Sequence, residues 1–137
     1  TTTADRWLLH LPPEWWLVAA AIGFQAATII AVNNHRDIAT DARAGKRTLA
    51  VRLGEPNARI YYGILHIAAA CCWWSAAFWL ALPWLTLTAW MSTLGGAVLT
   101  YGVARTSGAG LNLYLVRSAT LELATGLSAA VALGMVG

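Results

Sequence analysis

The stretch PEWWLVAAAIGFQAATIIAV, residues 13–32, decides the fold. It is apolar except for Glu14 and Gln25 and has the roughly 20 residues that a helix needs to cross a bilayer. Pro12 and Pro13 stand at its start, where a missing N–H costs a helix nothing, and Asn33 ends it. Similar runs recur downstream. A second, at about 57–82, opens after Gly54, Glu55 and Pro56 and is closed by Pro83. A third covers 85–104, and a fourth covers roughly 118–136 after a Gly-rich turn at 107–110. The pattern predicts an all-α, polytopic transmembrane bundle of about four spanning helices, with 1–137 as a single membrane domain. The tight Leu82-Pro83-Trp84 corner predicts an antiparallel hairpin between the second and third spans.

Composition excludes a soluble core: 58% of the 137 residues are hydrophobic and 11% are charged, against roughly 25% charged in a soluble domain. The net charge of +3 is concentrated in one place. Arg36, Arg43, Lys46, Arg47, Arg52 and Arg59 face Asp37, Asp41 and Glu55 there, while Arg6, Arg105 and Arg117 cancel Asp5, Glu14 and Glu122 elsewhere. A basic loop beside apolar spans predicts a cytoplasmic loop and an anionic ligand or lipid headgroup. The ends near Arg105 and Arg117 should lie on that same side, with both termini outside. Trp15, Trp16, Trp79, Trp84 and Trp90 would form the outer aromatic belt, and Tyr61, Tyr62, Tyr101 and Tyr114 the inner one. Gly23, Gly95 and Gly96 permit close helix approach in lipid. Cys71 and Cys72, adjacent in an apolar run, read as packing residues. The opening Thr1-Thr2-Thr3-Ala4-Asp5-Arg6 has neither Met nor the order of a signal peptide, and reads as the middle of a longer protein.

The chemistry is concentrated in Asn33-Asn34-His35-Arg36-Asp37-Ile38-Ala39-Thr40-Asp41, followed by a tail that runs through Gly45-Lys46-Arg47-Thr48-Leu49-Ala50-Val51-Arg52-Leu53-Gly54. If the first helix continues past the membrane surface, Asn33, Asp37 and Asp41 occupy successive i, i+4 positions on one face. Two carboxylates so placed repel by about 0.2–0.5 kcal/mol, with no Lys or Arg expected on that face to compensate. A divalent cation reverses the sign. Magnesium suits the donors, because it takes oxygen ligands and is commonly held by one or two carboxylates plus substrate phosphates. Arg36, Arg43, Lys46 and Arg47 offer the forks and point charges that a metal-bridged diphosphate still needs. A solvated loop obeying the positive-inside rule accounts for the cations but not for the carboxylate spacing.

This string resembles the second aspartate-rich motif of the UbiA superfamily of intramembrane aromatic prenyltransferases. The doubled Asn, the Arg36-Asp37 pair and the tail from Gly45 to Gly54 are most similar to the branch serving menaquinone biosynthesis. The resemblance implies a nine-helix fold with two facing aspartate-rich motifs, of which this sequence holds the second (the loop at 33–56) and what look like the last four helices. No second Asn-x-x-x-Asp-x-x-x-Asp string occurs, so the N-terminal helices are an expected partner. It further implies a magnesium-dependent enzyme of a bacterial inner membrane. That enzyme would transfer a polyprenyl group from its diphosphate to 1,4-dihydroxy-2-naphthoate with loss of the ring carboxylate. Asp37 and Asp41 would be the catalytic metal ligands, Asn33 an oxygen ligand or phosphate contact, and Arg36, Arg43, Lys46 and Arg47 the diphosphate clamps. The lipid bilayer is the remaining partner, and no nucleic acid is expected. The alternatives are a non-catalytic membrane module binding anionic lipid or a partner subunit, and a prenyltransferase of another aromatic acceptor.

Other polar residues read more simply. His35, on a different face from the aspartates, and His66, without an acidic neighbour at helical spacing, predict polar contacts. Glu122, inside the last span, predicts either an ion pair with Arg105 or a substrate-facing role. Gln25 predicts an interhelical hydrogen-bond donor.

Overall fold

The computed structural model describes residues 12–135. The sequence features at 1–11 and 136–137, including the opening Thr run, the positions of both termini and the last predicted residue of the fourth span, lie outside them. Among the described residues there are four long helices and one short one: α1 (Pro13–Arg36), α2 (Ile38–Arg43), α3 (Leu49–Trp79), α4 (Pro83–Ala104) and α5 (Leu111–Gly134), with a 3-10 turn at Gly108–Gly110 before α5. No strand occurs among the described residues.

The long helices start where the chain chemistry permits. Pro occupies the first turn of both α1 and α4, where its lost N–H has no helical partner to miss. At α3 the Thr48 hydroxyl accepts the Val51 N–H at 3.3 Å, a side-chain cap that satisfies one free donor. Gly54, at φ 74° and ψ 164°, breaks α3 just ahead of Pro56, so the main span begins near the predicted 57. Its end comes earlier than predicted, at Trp79, and the reversal into α4 uses Ala81 at φ 51°. The fourth helix starts at Leu111 instead of 118, because the 3-10 turn winds directly into it and Leu111 is fully buried. Arg117 therefore lies within the helix, its guanidinium over the Tyr114 ring.

The long helices form a closed ring in which α1 and α4 sit across from one another and each packs on α3 and α5. Two buried clusters fill it. One gathers Val18, Trp73, Ala76, Leu85, Ala89, Ala129 and Ala132, and the other Val32, Tyr62, Leu65, Leu99, Val103 and Leu111. Polar side chains stitch the interior. Gln25 Oε1 accepts from Trp73 Nε1 at 2.9 Å and from Thr125 Oγ1 at 3.0 Å, joining α1, α3 and α5. Gln25 is thus an interhelical acceptor, the reverse of the predicted donor, because an indole can only donate. The Tyr62 and Ser118 hydroxyls bond at 2.8 Å. Tyr62 is fully buried and belongs to the core, not to an aromatic belt.

Outside, Ile30, Ile64, Ile67, Phe78, Val98, Leu123 and Leu127 are exposed while Gln25, Thr28, Thr88, Ser92 and Thr125 are buried. An apolar exterior around a partly polar interior suits lipid as solvent. Two helices, over Glu14–Arg36 and Leu49–Trp79, are long and apolar enough to cross a membrane. Helices α4 and α5, of 22 and 24 residues, also have the length of a span.

Candidate diphosphate site

The C-terminal end of α1, all of α2, the start of α3 and the α4–α5 connection converge at one pole of the ring. Helix α1 stops at Arg36 because Asp37 leaves helical geometry (φ −95°, ψ 6°). The i→i+4 ladder nevertheless runs through the break: the Asp37 N–H donates to Asn33 O at 3.2 Å and the Asp41 N–H to Asp37 O at 2.8 Å. Backbone hydrogen bonds thus link Asn33, Asp37 and Asp41 at one-turn intervals, although the first helix does not continue unbroken through them.

The expectation of uncompensated carboxylates is wrong. The Arg36 guanidinium forks onto Asp37, with Nε to Oδ1 at 2.8 Å and Nη2 to Oδ2 at 2.7 Å. Consecutive residues of a regular helix do not face each other, and it is the non-helical Asp37 that turns its carboxylate back. These hydrogen bonds hold the Asp37 carboxyl below its ordinary range, with a smaller contribution from Lys46. Asp41, buried at the foot of α2, accepts from Lys46 Nζ at 3.0 Å. Gly45, at φ 73°, makes that pairing possible by reversing the chain, and the Lys46 N–H closes the turn on Asp41 O at 2.9 Å. Arg43 and Arg47 are exposed on the rim of the same turn.

Partly exposed ion pairs of this kind are worth about 0–1 kcal/mol, so they yield readily to a more highly charged partner. Two carboxylates and an amide oxygen are hard donors of the sort magnesium takes, and they leave most of an octahedral shell to water and phosphate. No group of three or more His, Cys, Asp or Glu that could hold a metal occurs among the described residues. Asn33, Asp37 and Asp41 by themselves therefore fall short of a full coordination set, though their donor chemistry fits magnesium.

Several residues that sequence reasoning underrated complete the pole. Arg36 Nη1 donates to Asn112 Oδ1 at 2.8 Å, tying α1 to the first turn of α5. Arg59 Nη2 donates to Glu55 Oε1 at 2.7 Å and to Ser107 Oγ at 3.2 Å, fastening the other end of the α4–α5 connection. The signal for these contacts was the positive-inside argument, which put both connections on one side. His35 is buried behind the motif with Nε2 3.9 Å from Glu55 Oε1, and neither ring nitrogen has a hydrogen-bond partner. His66 likewise makes none of the polar contacts expected of it. It packs edge-on against Tyr62 and lines an apolar cavity of about 430 Å³ between α3 and α4, on the side of the ring away from α1. Glu122 forms no ion pair among the described residues, and Arg105, its expected partner, lies over the Tyr101 ring at 4.4 Å.

Comparison with known proteins bears on this pole directly. The UbiA prenyltransferase family matches residues 2–110, which include the whole aspartate-rich loop. The 1,4-dihydroxy-2-naphthoate octaprenyltransferase of Haemophilus influenzae is 46% identical over 68 residues, half of this chain and 22% of the relative. The proteins of the same name from Escherichia coli and Mycobacterium tuberculosis are each 45% identical, over 62 and 67 residues, covering 45% and 48% of this chain and 20% and 22% of theirs. The matched part of the chain thus spans about a fifth of the length of these relatives. No solved structure matches.

Proposed function

This chain belongs to the UbiA prenyltransferase family, and from that premise we propose that it forms the diphosphate-binding half of a menaquinone-pathway prenyltransferase. The reaction is transfer of a polyprenyl group from its diphosphate to 1,4-dihydroxy-2-naphthoate with decarboxylation, giving demethylmenaquinol. Residues 1–137 make one multi-pass membrane domain, in a bacterial cytoplasmic membrane, with the loop at 33–56 on the cytoplasmic side. The observation that carries the reading is the pair Asp37 and Asp41, joined by one i→i+4 backbone hydrogen bond and each neutralised by a displaceable cation.

Asp37, Asp41 and the Asn33 amide would hold magnesium, which when bound neutralises diphosphate charge and so favours its departure. The cations do the rest. Exposed Arg43 and Arg47 raise the local concentration of the anionic substrate. Arg36 and Lys46, released from the carboxylates, take phosphate oxygens in their place, Arg36 through its two-pronged face. The allylic carbon–oxygen bond breaks as charge develops on these oxygens, the electron-rich ring forms the new carbon–carbon bond, and the ring carboxylate leaves as carbon dioxide. The remaining ligands and the rest of the prenyl cavity are assigned to the helices that precede this segment in a protein of the relatives' length.

Asp37→Asn and Asp41→Asn, made in the full-length enzyme, should each lower turnover by about 100-fold or more, the scale on which one charge-stabilising group is felt. Both variants should remain in the membrane, because the pairs they break contribute little to folding. Near-normal prenyl transfer by both at saturating magnesium removes the assignment.

A further inference from the structure

The Arg36 guanidinium is held on two sides that behave differently when the site fills. Nε and Nη2 rest on Asp37, a carboxylate assigned above to the metal; Nη1 rests on Asn112 Oδ1, an uncharged oxygen on a different helix. A divalent cation competes with Arg36 for Asp37, whereas Asn112 is not among the donors assigned to the metal and its oxygen is already taken by Arg36. An arginine that lost its only partner would regain a long side chain's rotamer freedom, and would have to give it up again to meet the phosphate.

We propose that Asn112 is a positioning residue of the diphosphate site: it keeps the Arg36 fork at the mouth of the site while Asp37 changes partner. This rests on the functional reading given above. With Nη1 anchored, the Nε and Nη2 edge that Asp37 vacates stays aimed at the carboxylate and is free to take two phosphate oxygens. The anchor is firm. Asn112 follows the fully buried Leu111, and the connection before it is pinned by Arg59 to Ser107. Asn112 itself touches neither metal nor substrate in this scheme and acts through Arg36.

The test uses the full-length protein in nanodiscs and two readouts: calorimetric binding of inorganic pyrophosphate with magnesium, and steady-state prenyl transfer. Asn112→Ala should weaken pyrophosphate and raise KM for the prenyl diphosphate by about tenfold, the scale of one hydrogen bond to a charged group, with kcat within about twofold. Asn112→Gln should restore part of the loss. Arg36→Ala combined with Asn112→Ala should bind no worse than Arg36→Ala alone, because the two residues form one unit. Asn112→Asp keeps the size and provides a folded second variant. Its carboxylate should draw Arg36 off Asp37, tightening magnesium alone while weakening pyrophosphate. Additive losses in the double variant, or unchanged pyrophosphate affinity in both Asn112→Ala and Asn112→Asp, overturn the proposal. If Asp37→Asn abolishes magnesium-dependent binding while the Asn112 variants bind normally, only this inference fails. If Asp37→Asn binds and turns over normally, the functional reading itself falls.

Discussion

Asp37 shows how a single side chain can be primed by its immediate neighbour. Its folded pKa is depressed, chiefly by the Arg36 hydrogen bonds. The pair is therefore complete above the ordinary aspartate range, near ~3.9, and is lost as pH falls through the depressed value. Mild acidification to about pH 5 should leave Asp37 ionised and paired. A titration followed by the carboxyl carbon resonance should give a midpoint below that of an unfolded aspartate, and Arg36→Ala should move it upward. An ordinary midpoint in the parent protein would contradict the fork. The carboxylate spacing was legible in the sequence because i, i+4 positions survive a mild break in a helix. Their cation partners were not, since one pairing needs Asp37 to leave helical geometry and the other needs Gly45 to reverse the chain. The Glu122–Arg105 pair failed for the opposite reason: antiparallel neighbours offered the contact, but Arg105 settled on an aromatic face.

Among the elements, α3 carries the clearest punctuation. Gly54 lies at positive φ with an extended ψ, a region essentially reserved for glycine, and an added Cβ would meet nothing within 4 Å. The cost of Gly54→Ala is thus conformational, about 1–3 kcal/mol, and should appear as a lower melting temperature of the detergent-solubilised protein. An unchanged melting temperature would mean that the kink is not required. Pro56 and Gly54 announced this break in the sequence, and the Pro residues announced the starts of α1 and α4. The Thr48 cap and the early start of α5 were hidden, the first because a lone Thr in a basic loop looks like any polar residue. The second was hidden because Arg117 resembles a flanking charge until Tyr114 is seen beneath it.

For the molecule as a whole, the functional reading assigns a direction as well as a site. With Cys71 and Cys72 replaced by alanine, a cysteine placed in the loop at 33–56 should resist a membrane-impermeant thiol reagent applied from outside, while one at Leu82 or Trp84 should react. Equal labelling of both reverses or abolishes the proposed topology. The ring of four helices was legible as a count of apolar runs. Its closure was not, because it depends on Gln25, Trp73, Thr125, Tyr62 and Ser118 finding one another across helices. That closure also sets a clock. Arg36 and Asn112 are 76 residues apart, and Gln25 and Thr125 are 100. At about 5–20 residues per second of synthesis, the aspartate-rich loop leaves the ribosome about 4–15 s before the asparagine that tethers its arginine. During that interval the nascent loop is fully charged, already beside the membrane, and held only by its own local pairs. Helix α5 follows the motif in the chain and fastens the site, so a polypeptide interrupted before α5 would carry every residue of the motif and still lack its hold on Arg36.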